Sequence, residues 1–111
     1  MMSARTAKGP ATIIVPDLSA SARAGRQAFE LRCQRCHGAN TAGGPLGPPL
    51  VDRTYTSGLH ADIAFTLAVR RGVRAHHWRF GDMPAQPEVS DAELADIVRY
   101  VRELQKANGI D

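Results

Sequence analysis

Aromatic side chains are scarce in this chain: three phenylalanines, two tyrosines and one tryptophan make up 5% of its 111 residues. A single small domain of that length is already short of apolar surface, so its core is thin unless something other than side chains helps to fill it. Cysteine is scarcer still. The two present, Cys33 and Cys36, stand together in one tight motif, which excludes a framework of long-range disulfides. Long hydrophobic runs are missing as well, and the one apolar cluster near the start, Ile13-Ile14-Val15, is far too short for a signal core or a membrane span. Lysine is almost absent. Of fourteen basic residues twelve are arginine, and with eleven acidic residues they leave a formal charge of +3. No basic run is interleaved with aromatics, which sets nucleic-acid binding aside.

What the chain does contain is the run Cys33-Gln34-Arg35-Cys36-His37. Cys-x-x-Cys-His is the attachment pattern of a c-type haem, in which two thiols add across the porphyrin vinyl groups and the following imidazole reaches iron. Residues three apart on a helical turn share a face, so both sulfurs can meet one haem edge while His37 swings beneath the ring. Two other readings fit less well. A thioredoxin-type pair sits at a helix N-terminus after a buried strand, whereas the residues before Cys33 have a helical pattern. A structural zinc site needs four ligands, and the second pair would have to be the adjacent His76 and His77.

Residues 1–17 read as a flexible tether and 18–111 as one domain. A helix is expected over 18–32, capped by Ser19 or Ser21, with Ala22, Gly25, Ala28, Phe29 and Arg32 at helical intervals. Gly25 inside it asks for a reason, and the close approach of another helix supplies one. The stretch 38–50, rich in glycine and proline, is expected to be a loop with Leu46 and Leu50 as its apolar anchors. A metal-bound histidine usually donates its second ring N–H to a backbone carbonyl, and Pro48 is the candidate; a merely stiff Pro-Pro turn is the other reading. A second helix is expected over 60–71, capped by Thr56 or Ser57 and stopped by Gly72. Its stripe of Ile63 and Leu67 would serve as a cofactor wall or as plain core. The last helix is announced by a Ser90/Glu93 capping box and an apolar face of Leu94, Ile97, Val98, Val101 and Leu104, with Asn108-Gly109 as its end.

Between these helices lies an irregular stretch, 73–87, dense in groups with chemistry. Met83, followed by Pro84, is the one methionine away from the loose terminus and is the candidate sixth ligand to iron. His76 and His77 are its rivals for that position. Trp78 and Arg79, with Arg74, are candidates to hold haem propionates through the indole N–H and the guanidinium fork.

Taken together, the pattern resembles a small bacterial class I cytochrome c over residues 18–104. The resemblance implies an all-α fold of three to four main helices and long loops wrapped around one covalently bound haem. It matches Gly25 and Phe29 on the first helix to Ile97 and Tyr100 on the last, and the Gly47-Pro48-Pro49-Leu50 segment to the loop whose proline carbonyl orients the proximal histidine. It implies Cys33 and Cys36 as attachment points, His37 and Met83 as metal ligands, and one haem c as cofactor. The function so implied is single-electron transfer between redox protein partners such as a dehydrogenase, oxidase or reductase, with no substrate to turn over. The alternative is a haem enzyme or gas sensor with a labile or absent distal ligand. Haem attachment to such motifs takes place beyond an energy-coupling membrane, so the expected location is periplasmic, free or tethered to a membrane or larger complex. The family's lysine ring for docking is missing here, so its docking preferences do not transfer.

Overall fold

A computed structural model describes residues 13–44, 47–73 and 83–110. The elements, in chain order, are helix α1 (Ala20–Arg32), the single-turn α2 (Gln34–His37), α3 (Asp62–Arg71) and α4 (Asp91–Ala107), with 3-10 turns at Ala39–Thr41 and Arg53–Tyr55. Among the described residues there is no strand, only one isolated antiparallel bridge between Val73 and Met83. The all-α expectation therefore holds. No described helix is long and apolar enough to cross a membrane.

The start of α4 is set locally. The Ser90 hydroxyl accepts from the Glu93 N–H at 3.0 Å while the Glu93 carboxylate accepts from the Ser90 N–H at 3.0 Å, the reciprocal box that the sequence announced. Helix α1 begins where Ser19 accepts from the Ala22 N–H, so Ser19 rather than Ser21 is its cap. Ser21 instead donates to Asp96 on α4 at 2.6 Å. Ser19 also donates through both N–H and hydroxyl to Glu103, which ties the start of α1 to the far half of α4.

Those two helices build the core. A Cβ added to Gly25 would lie 1.9 Å from the Asp96 carbonyl oxygen and 2.9 Å from the Ile97 nitrogen, so the backbones cross at a point where only glycine fits. One turn along, the Phe29 and Tyr100 rings meet at 5.6 Å with a 58° tilt, and both are fully buried. Leu18, Ala22, Ala28, Leu94, Ile97, Val98, Val101 and Leu104 complete the contact, joined by Val69 and Val89. All five residues predicted for the apolar face of α4 are buried.

The last residues of the stretch read as a tether are bonded to this core. Ile13 and Val15 pack against it, and Asn108 both accepts from the Ile14 N–H and donates to the Ile14 carbonyl, each at 2.8 Å. Helix α3 departs from expectation at its start. It begins at Asp62 with Ala61 at the cap position and no side-chain cap, instead of at residue 60 after Thr56 or Ser57. Its stop at Gly72 is as expected. A further difference lies in the loop 38–50, which contains the 3-10 turn Ala39–Thr41 with Asn40 and Thr41 both at positive φ. The Asn40 side chain there accepts from Arg26 at 3.3 Å and from the Tyr100 hydroxyl at 3.4 Å.

Candidate cofactor site

Cys33, Cys36 and His37 lie on one continuous turn. Cys33 ends α1 by donating its N–H to the Phe29 carbonyl at 2.7 Å, and its own carbonyl accepts from the Cys36 and His37 N–H groups at 3.1 and 3.0 Å. Both cysteines are free thiols and half-buried. Burial, reinforced by the neighbouring Cys36, pushes the Cys33 thiol up to about 11. A catalytic redox thiol needs the opposite shift, so the thioredoxin reading finds no support in this environment.

His37 is buried at 9% exposure, and its Nδ1 lies 2.9 Å from the Pro48 carbonyl oxygen. A carbonyl can only accept, so Nδ1 carries the proton and Nε2 is left with a free lone pair. Burial holds the imidazole below its ordinary pKa, against the upward pull of that same hydrogen bond. A neutral ring with one nitrogen spoken for and the other open is the state a metal ligand requires. The Pro48 carbonyl is thus the hydrogen-bond partner of His37, the contact that one of the two readings of Pro48 called for.

Met83 is half-buried and packs against the core. Its position is set from the end of α3. Met83 donates its N–H to the Val73 carbonyl at 2.7 Å and accepts from the Val73 N–H at 2.9 Å, while Gln86 donates to the Val69 carbonyl at 2.7 Å. Arg70 reaches the Val89 carbonyl and Asp91, holding the far side of the same segment. Gly72 makes the approach possible: it has φ +78° and ψ 177°, a conformation nearly confined to glycine, and a Cβ there would sit 2.5 Å from the Met83 oxygen. Gly72→Ala is expected to lower stability by about 1–3 kcal/mol from backbone strain before any clash is counted, seen as a lower urea midpoint at unchanged slope.

Leu50 is half-buried against the core, whereas Ile63 and Leu67 are 62% and 40% exposed. Ile63 and Leu67, four apart on α3, form an exposed apolar stripe, and Leu59 in the turn before the helix is 71% exposed. Phe65 and Val69, on the other stripe of the helix, pack inward. Trp78 and Arg79, with Arg74, His76 and His77, lie outside the described residues. Arg32, beside Cys33, pairs with Glu88 and Glu93, at 3.9 and 3.6 Å.

Sequence reasoning passed over two polar side chains near the end of α4, Arg102 and Gln105, which between them hold the segment 50–62. A signal was present. Gln105 falls on the register of Val101 and Leu104, and a polar residue at a buried register has to find partners.

The residues present fit a haem. Two thiols share a helical turn with a histidine whose Nε2 is free, and an uncovered apolar stripe suits the face of a macrocycle better than water. Comparison with known proteins points the same way. The family described as cytochrome c matches residues 22–105. Over 92 residues the chain is 33% identical to the cbb3-type cytochrome c oxidase subunit CcoP of Rhodobacter capsulatus, a match covering 80% of this chain and 31% of that subunit. The chain thus spans less than a third of the length of the curated relative it matches.

Proposed function

The chain belongs to the cytochrome c family, and from that premise we propose that it is a single-haem electron-transfer domain. Cys33 and Cys36 would hold the haem through thioether bonds, and His37 and Met83 would supply its two protein ligands to iron. Family membership brings covalently held haem c and haem-based electron transfer; the ligand set is this chain's own reading. The observation that carries it is the 2.9 Å bond from His37 Nδ1 to the Pro48 carbonyl, which prepares Nε2 as a donor. Bound there, a haem supplies a reversible one-electron couple between ferric and ferrous iron.

The chain's part is to keep both axial donors in place in both oxidation states. Pro48 fixes the tautomer and direction of His37. The Val73 pairing and the Arg70 contacts hold Met83 from the α3 side. A thioether donor favours the reduced metal and raises the potential relative to a second histidine. Leu50, Ile63 and Leu67 line the apolar face, with Trp78 and Arg79 assigned to the propionates. No substrate has to be bound or turned over. The likeness to an oxidase subunit supports a role as a domain that exchanges electrons with a dehydrogenase, oxidase or reductase partner, on the periplasmic side where haem c is attached.

Protein matured in a host able to attach haem tests this directly. A pyridine haemochrome is expected to give one haem per chain. The ferric methionine-sulfur charge-transfer band should vanish in Met83→Ala and survive in His76→Ala and His77→Ala. Prompt stoichiometric carbon monoxide binding by the ferrous wild-type protein would overturn the closed, six-coordinate reading in favour of a ligand-binding haem.

A further inference from the structure

Gln105 is 1% exposed, a polar residue in the middle of an apolar contact. Its Nε2 donates to the carbonyls of Leu50 and Tyr55, both at 2.9 Å, and its Oε1 accepts from Arg102 at 2.8 Å. Arg102 extends the same hold. Its guanidinium bonds Asp62 at 2.8 Å, the Tyr55 carbonyl at 2.7 Å and the His60 carbonyl, and lies 4.7 Å over the Phe65 ring. A well-packed apolar residue of the same volume would leave the Leu50 carbonyl without its donor, so the amide both satisfies that acceptor and fixes where it sits. The amide does something an apolar residue cannot: it grips particular backbone carbonyls.

The grip leads to the proximal histidine. Leu50 is held on both sides, its N–H donating to the Thr41 carbonyl at 3.0 Å and its C=O accepting from Gln105. Thr41 is itself buried and locked at φ +58°. The peptide plane carrying the Leu50 N–H and the plane carrying the Pro48 carbonyl are separated only by the φ and ψ of Pro49. Since the proline ring fixes φ, one soft torsion remains between them. The Leu50 carbonyl that Gln105 holds lies one plane further along, across the φ and ψ of Leu50, and the Thr41 and Gln105 bonds together fix those two torsions, so Leu50 gripped on both sides anchors the oxygen that accepts from His37.

We propose that Gln105 is a positioning residue for the axial histidine: through Leu50 it fixes the Pro48 carbonyl, and so sets how strongly the His37 imidazole donates to the metal. The inference rests on the reading of His37 as a ligand. A stronger, better-aligned Nδ1–H bond makes the imidazole a better electron donor and favours the oxidised metal. Weakening it moves the potential upward.

The test uses the haem-loaded protein with Gln105→Met, which nearly keeps the volume and removes both donors, and Gln105→Glu, which places a carboxylate against two carbonyls. Asn108→Ala is the control, since it removes the bonds to Ile14 on the same helix and leaves Leu50 alone. Gln105→Met is expected to shift the midpoint potential upward, while Gln105→Glu, whose added negative charge itself favours the oxidised metal, is read by exchange alone; both should speed exchange of the His37 Nδ1 proton roughly tenfold, the equivalent of one typical hydrogen bond. Asn108→Ala should lose stability with neither change. Gln105→Met that melts earlier while keeping the wild-type potential and exchange rate would overturn the proposal and reduce Gln105 to a structural clamp. A mistaken ligand assignment shows itself separately: His37→Gly would then keep the low-spin spectrum of the wild-type protein, whatever residue stands at 105.

Discussion

Gly25→Val is expected to abolish cooperative folding. The added Cβ alone would sit 1.9 Å from the Asp96 carbonyl oxygen and 2.3 Å from its carbon, and backbone cannot give way as the tip of a flexible side chain can. Relief requires α1 and α4 to separate. That in turn uncouples Phe29 from Tyr100 and loosens Ser19 from Glu103 and Ser21 from Asp96. Overpacking that side chains can absorb costs about 1–3 kcal/mol, and parting a backbone crossing costs more, on the order of 4 kcal/mol or above. Against a domain stability of about 5–15 kcal/mol, that removes much or all of the margin. Thermal melts by circular dichroism check it. A Gly25→Val protein melting within a few degrees of wild type would show that the crossing can be repacked. Gly25→Ala should fall between the two.

The second large effect is expected from Cys33→Ala combined with Cys36→Ala. The thiols are not joined to each other, and Cys33 packs against the core only as a small apolar side chain, so without a cofactor the pair looks replaceable by alanine. The proposed function says otherwise. Leu59, Ile63 and Leu67 are 71%, 62% and 40% exposed, and covering such side chains is worth about 1.5–3 kcal/mol each when burial is complete. A covalently held haem supplies that cover and cannot dissociate. The double variant should be colourless after denaturing gel electrophoresis and should lose its near-ultraviolet circular dichroism. Cooperative unfolding of a haem-free double variant would show that the α1–α4 core stands without help. Between them the two results separate what the helix crossing contributes from what the cofactor contributes.

Features fixed by near neighbours in the chain were legible before the structure. The capping box at Ser90 and Glu93, the buried face of α4, the stop at Gly72 and the helical turn through Cys33 and His37 all follow from spacings of three or four residues. The pairing of Gly25 and Phe29 with Ile97 and Tyr100 came through resemblance, and the geometry agrees. What could not be read was set from a distance. Helix α3 starts at Asp62 without a side-chain cap of its own, and its entry is held by Arg102, forty residues on, which bonds both Asp62 and the His60 carbonyl. Of the left-handed pair Asn40 and Thr41, asparagine tolerates that conformation and the β-branched threonine does not. Asn40 is held there by Arg26 and by Tyr100, and local propensity carries no trace of partners so remote.

The pair of hydrogen bonds between Ile14 and Asn108 gives the domain a single doorway, since the polypeptide enters and departs within touching distance. A unit built that way can be spliced into the middle of a host chain as readily as hung from one end, because neither arrangement drags its two long helices apart. Whatever is joined on either flank starts from the same corner.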